Sequence, residues 1–243
     1  MFQLRLNRIR RRWSISPEMN TATVMPTSTS PLNSTPLHRS ISSPTTSAPP
    51  SRRLRRRRTH TSYIPRISSS SAIVPSPQFV SPLHAHFPVR YSSCDWQAVY
   101  STMRDGVSLQ TFFAKCAGPD PIVLLVRDSR KAVFGCYTTT PWKSSKQYYG
   151  NGEGFVFTLS PSVKVHKWSR ANSFFQLSSS KSLAIGGGGK FALFLDSMFE
   201  RGSSGPCATF KSPCLASADE FDIVVVEAYK LVPPFRFSQG KHH

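Results

Sequence analysis

Ser182-Leu-Ala-Ile-Gly-Gly-Gly-Gly-Lys-Phe-Ala-Leu-Phe-Leu-Asp196 sets two short apolar runs on either side of four consecutive glycines. Runs of this length are strand-sized, and consecutive glycines accept the positive-φ geometry of a tight turn. The stretch therefore predicts a hairpin. A phosphate-binding loop would end in Gly-Lys-Ser/Thr and open a helix, whereas here Lys190 leads into Phe191 and a second strand-like run. Arg201-Gly-Ser-Ser-Gly-Pro-Cys207 follows at once. Its first four residues read either as a turn or as a small backbone nest for an anion.

Working outward, the continuous run Ile122 to Val126 suits a strand buried on both faces. Ala132–Tyr137, Gly154–Leu159, Val163–Trp168, Ser173–Leu177, Lys190–Leu195 and Phe221–Tyr229 are rich in β-branched and aromatic residues. Turn residues at Asp128–Arg130, Gly150–Gly152 and Ser160-Pro161 separate them. Two short helices are expected before these strands. Asp95 would cap one carrying Trp96, Val99, Tyr100 and Met103, ended by Gly106; Ser108 would cap the other, carrying Leu109, Phe112, Phe113 and Cys116. Many strands without long intervening helices predict a mostly β (α+β) domain, two antiparallel sheets packed as a β-sandwich with a few short helices.

The rest of the chain obeys other rules. Residues 1–77 hold 13 Lys/Arg against the single acid Glu18, a net charge of +12, and are dominated by Ser, Thr, Pro and Arg. Such a composition buries too little apolar surface to offset the entropy of ordering, so a disordered basic tail is expected there, with the domain over 78–236 and a C-terminal tail over 237–243. Phe2, Leu6, Ile9 and Trp13 recur at helical spacing beside Arg5, Arg8 and Arg12. This reads as a mitochondrial transit peptide or as a solvated basic tail, giving a mitochondrial or cytoplasmic location. No apolar segment of a secretory signal follows. The cluster Arg52-Arg-Leu-Arg-Arg-Arg-Arg58 would attract any polyanion, or act as a nuclear localisation signal, but without interleaved aromatics it is no platform for bases. Apolar runs of about five residues fall far short of the ~20 of a membrane span.

Further blocks carry a family resemblance. Trp96-Gln-Ala-Val-Tyr-Ser-Thr-Met-Arg-Asp-Gly-Val-Ser-Leu-Gln-Thr-Phe112, then Val133-Phe-Gly-Cys-Tyr137 with Pro141-Trp142, then Tyr149-Gly-Asn-Gly-Glu-Gly-Phe-Val-Phe157, the glycine block, and Arg201 to Cys207 with Phe210 stand in one order. In that order they resemble the TLDc domain of oxidation resistance proteins over residues ~80 to 232. The resemblance implies a sandwich fold, protection from oxidative damage, and association with the peripheral sector of the proton-pumping V-ATPase. Departures are Ala208 where the family often has Glu, and Tyr229-Lys-Leu231 where relatives carry a Trp-Gly-Phe type sequence. Nothing in residues 1–77 could form the LysM-type or TBC-type domains that accompany larger relatives, so a short, monomeric, domain-plus-tail member is expected.

Candidate chemistry is sparse. Cys94, Cys116, Cys136, Cys207 and Cys214 are odd in number and lack zinc-knuckle spacing. Cys116 and Cys136 read as buried hydrophobes, whereas Cys207, in a Gly/Ser/Pro loop, reads as either buried or exposed and reactive. The histidines lack His-Glu-x-x-His spacing, and neither a metal nor another cofactor is expected. Glu153, between two glycines, has no neighbouring group to complete a catalytic set and reads as a turn acceptor or partner contact. A protein-binding, non-enzymatic module is the leading reading, with Glu153, Gly187, Gly188, Arg201, Gly202, Ser203 and Ser204 as candidate partner contacts. Two alternatives are a peroxide-consuming or redox-sensing thiol at Cys207 or Cys94, and a polyanion-binding arm in the Arg-rich tail.

Overall fold

The computed structural model describes residues 63–234, so the amphipathic stretch at 1–13, the Arg52 cluster and the C-terminal tail at 237–243 lie outside the described residues. Ten strands follow in chain order: β1 (Asp95–Ser101), β2 (Ile122–Asp128), β3 (Val133–Thr138), β4 (Phe155–Ser160), β5 (Lys164–Lys167), β6 (Gln176–Ser178), β7 (Ser182–Ile185), β8 (Leu193–Asp196), β9 (Arg201–Ser203) and β10 (Glu220–Val232). All their pairings are antiparallel, in the order β5-β4-β3-β2-β10-β9-β8-β7-β6. β10 serves both sheets of the sandwich. One of its edges pairs with β2; the other pairs first with β9 and then with β1.

Two hydrophobic clusters explain why β2 is apolar at consecutive positions. Ile122, Leu124 and Val126 face the core between the sheets, with Leu183, Ile185, Leu193 and Leu195 from the opposite layer. Val123 and Leu125 point the other way, into a second core with Phe155, Phe157, Tyr229 and the N-terminal residues Ile73, Val74, Val80, Leu83 and Phe87. The period of two along a strand sends alternate residues to the two clusters.

The helix expected from Asp95 is strand β1. Trp96 belongs to the second core and Tyr100 to the first, because the pairing with β10 slips between Ala98 and Tyr100 and leaves Val99 as an extra residue. A bulge breaks the two-residue alternation, and the broken alternation mimics a helical stripe. Only one helical turn follows, α2 (Thr102–Asp105), ending at Gly106 as expected. The helix expected from Ser108 is α3 (Leu109–Cys116), with the Ser108 hydroxyl accepting from the Thr111 amide and Leu109, Phe112 and Cys116 buried. The hairpin expected around the glycine block is β7 and β8, while β9, of three residues, stands where a turn or nest is expected.

The domain boundary drawn at 78 falls inside the packed region. Ahead of α1 (Pro77–Val80), residues 63–76 form a strap along the second core. Ser68 N–H donates to Trp96 O and Trp96 N–H to Arg66 O, at 3.0 and 2.8 Å. The Asp95 carboxylate is buried and accepts from the Tyr63 hydroxyl (2.8 Å), the Arg66 amide (2.8 Å) and the Arg66 guanidinium (3.0 Å). Glu227, also buried, accepts from the Ser71 hydroxyl at 2.5 Å, the Ala72 amide at 2.9 Å and the Tyr229 hydroxyl at 2.7 Å. Both carboxylates are thus satisfied by the strap, as burial of charge requires.

Under the strap, His84 Nε2 accepts from the Trp96 indole N–H at 3.0 Å, so Nδ1, 3.0 Å from Ser92 O, carries the proton. Burial holds the imidazole below its ordinary value of 6.5. With the folded value depressed, the unfolded chain binds the proton first on acidification. Stability is therefore expected to be full above about pH 6.5 and to fall as pH drops below it. His86 and His166 are lowered in the same direction. Urea midpoints at pH 7.5 and 5 check this, with a smaller drop expected for His84→Gln; a midpoint that does not move between the two would sink it.

Candidate functional site

The glycine block is a structural knot. Gly186 has φ +80°, and a Cβ there would stand 2.5 Å from Cys207 Sγ, so only glycine lets β7 turn toward β8 over this cysteine. The buried Gly187 donates its amide to the Thr209 hydroxyl at 2.9 Å, and that hydroxyl donates to Asn172 Oδ1 at 2.7 Å. Ser169 N–H donates to Thr209 O at 2.8 Å, drawing a third loop onto the first two. Gly188 is exposed beside them.

The Arg201 segment is strand β9, paired with β8 and β10, and it is neither a turn nor a nest. The place of an anion is taken by Asp196, whose carboxylate accepts from the Glu200 amide at 2.9 Å and the Arg201 amide at 3.2 Å. Arg201 itself is exposed. Gly202 is buried against Phe221, and the buried Ser204 hydroxyl donates to Ala192 O at 2.6 Å while accepting from the Leu215 amide at 2.8 Å. Ser203 is half-buried. Glu153 projects from the β3–β4 loop and is ion-paired with Arg90. The seven candidates therefore divide. Glu153 and Gly188 present themselves to solvent on separate loops and Arg201 does so from β9, while Gly187, Gly202 and Ser204 are spent on internal packing.

Thiol chemistry finds poor ground. Cys207 is buried, with its Sγ 3.4 Å from Gly187 O, so its loop is not the exposed one its composition allowed. Cys94 is buried too, and burial, with the charge of Asp95, pushes its pKa up. Burial drives Cys116 to about 12 despite Lys230 and Lys115, and raises Cys136 as well. A raised pKa suppresses the nucleophilic thiolate. Cys214 alone among the five is partly exposed.

Among the described residues, no group of three or more His, Cys, Asp or Glu side chains is placed to hold a metal, and no helix is long and apolar enough to cross a membrane. A cavity beneath the β3–β4 loop, lined by Tyr137, Thr138, Asn151, Phe175 and Gln176, has a volume of about 10 Å³. That is water-sized, against the roughly 300–1,000 Å³ of small-molecule sites.

The comparisons with known proteins bear on this packed, loop-knotted sandwich. The TLDc domain family model matches residues 68–232, starting within the strap. Nuclear receptor coactivator 7 of Mus musculus is 37% identical over 168 residues, which cover 68% of this chain and 18% of that protein. Oxidation resistance protein 1 of Bos taurus is 38% identical over 170 residues, covering 69% and 19%; that of Xenopus laevis is 37% identical over 170 residues, covering 69% and 20%. The matched region spans about a fifth of the length of these relatives. Family model, strand order and the residue blocks agree over the same region, and the chain belongs to the TLDc domain family.

Proposed function

We propose that this chain is a non-catalytic, monomeric TLDc module that acts in protection against oxidative damage by binding a protein partner, with peripheral V-ATPase subunits as the first partner to test. The observation that carries the reading is the fate of the reactive-looking groups. Cys207, Cys94 and, in the glycine block, Gly186 and Gly187 are consumed by packing and hydrogen bonds within the domain, which leaves its surface as the working part. Relatives that bear the name oxidation resistance protein 1 support the stress-related role.

The test uses the full chain and a form with all five cysteines changed to Ala, both checked for folding by their melting curves. Equal survival of peroxide-stressed cells, with ATPase subunits captured by each form, is the expected result. A folded cysteine-free form that no longer protects would favour the thiol reading at Cys207 or Cys94. Capture of no ATPase subunit at low salt removes that partner and leaves the protective role standing. For location, we propose a mitochondrial or cytoplasmic chain, tested by whether residues 1–62 carry a fluorescent protein into mitochondria.

A further inference from the structure

The charge of the domain is concentrated on one flank. Residues 132–195 carry seven Lys/Arg and the single acid Glu153, whereas the rest of residues 78–243 carries eleven Lys/Arg and ten acids. Lys143 and Lys146 lie in the β3–β4 loop, Lys164 and Lys167 on β5, Arg170 just after it, Lys181 between β6 and β7, and Lys190 between β7 and β8; all seven are exposed. The one acid, Glu153, is taken by Arg90, and among the described residues Lys190 alone of the seven is ion-paired, to Asp219.

The topology makes these cations neighbours. β5 and β6 are the two ends of the strand order, farthest from β10 at its centre. The β3–β4 loop bridges the layers on this side, because Ser145 N–H donates to Ser178 O at 2.6 Å and Tyr149 exchanges two 2.9 Å bonds with Gln176. In the same region Phe174, 40% exposed, stacks on Tyr148 at a centroid distance of 4.6 Å. Charged edge strands are a common guard against edge-to-edge pairing. That accounts for Lys164 and Lys167 on β5, but not for Lys143, Lys146, Arg170 and Lys181 on loops.

We propose that this flank docks an acidic protein surface, its carboxylates meeting Lys143, Lys146, Lys164, Lys167, Arg170 and Lys181 and an apolar group meeting Phe174 beside Tyr148. The inference rests on the partner-binding reading above. Complementary charge speeds encounter and excludes like-charged partners, and a buried aromatic anchor supplies holding energy. The chain's own residues 1–62 hold twelve Arg against Glu18, a net +11, and have the wrong sign of charge to be its occupant. A nucleic acid fits less well. The exposed Phe174 ring is stacked on the half-buried Tyr148 and not open to bases, and six of the seven cations are lysines, which lack the bidentate fork of arginine toward phosphate.

The sequence supplies a selective probe, since residues 1–114 contain no lysine. A carbodiimide that joins primary amines to carboxylates therefore finds no target in the Arg-rich tail of the full chain except the α-amine of Met1, whose cross-links are set aside. With a short Glu/Asp-rich peptide bearing one Phe, cross-links are expected at Lys143, Lys146, Lys164, Lys167 and Lys181 and not at Lys115 or Lys230. The triple variant K143E/K146E/R170E is expected to weaken peptide binding by about tenfold or more at low salt, while K143R/K146R/R170K binds as the natural chain does. Cross-links spread evenly over all lysines, or unchanged affinity in the reversed variant, would overturn the proposal. So would an equal loss of affinity for a single-stranded RNA oligonucleotide or for phosphatidylserine vesicles, or a self-association at low salt that the reversal abolishes. If the reversed variant loses the peptide yet protects peroxide-stressed cells fully, the flank is not what protection uses, which overturns it while the protective role survives. If the natural chain itself gives no protection, the functional reading fails whatever the flank binds.

Discussion

A chain that begins at residue 78 is expected to lose most of the stability of one that begins at residue 63. The cut removes Tyr63, Arg66, Ser71 and the Ala72 amide, and with them every hydrogen bond described to Asp95 and all but one of those described to Glu227. Stranding one buried charge costs about 3–5 kcal/mol. Ile73 and Val74, both nearly inaccessible, go with the same cut, at about 1.5–3 kcal/mol each. These losses are not additive, but a total above about 5 kcal/mol is comparable with the whole stability of an ordinary domain, ~5–15 kcal/mol. Soluble yield and urea midpoint for the two lengths are the measurement. Similar midpoints would mean that the strap is ornamental, and the two carboxylates would then have to find other partners or protonate.

Gly135→Ala is the second large effect. Gly135 sits in β3 between β2 and β4, and a Cβ there would lie 1.8 Å from the backbone oxygen of Leu124 and 3.2 Å from the Phe157 ring. A flexible side chain could yield; a carbonyl in the middle of the ladder cannot move without parting β2 from β3. We expect a loss of about 3 kcal/mol or more. For a domain of this size that is a drop of roughly 6–12 °C in melting temperature. A melting temperature within a degree or two of the natural chain's would show that the two strands are less closely held than described.

Much of the architecture was legible from residues alone, for reasons that differ by element. The glycine block declares its hairpin because no other residue tolerates that backbone, and β2 declares its double burial because apolar side chains at consecutive positions need two cores. β1 was misread because a single bulged residue, Val99, changes which core the strand faces. The strap was misread because its Ser and Pro content resembles a linker, and only the distant Asp95 and Glu227 give it a purpose. At the candidate site, loop composition allowed exposure for Cys207, Gly202 and Ser204, but composition carries no information on which loops stack on which. The uneven spread of charge, by contrast, was visible in the chain from the start. It gains meaning once the strand order brings residues 143–190 onto one flank.

The central position of β10 also governs how the protein is made. β1 and β2 emerge from the ribosome early, yet the strand that pairs with both runs from Glu220 to Val232. Until that strand is synthesised, β1 lacks its partner and β2, paired with β3 on one edge, keeps its other edge open to other chains. Contacts of such long sequence separation fold slowly and leave intermediates prone to aggregate. The hairpins on either side can form as they are made, but the joining of the two sheets is postponed to the end of translation.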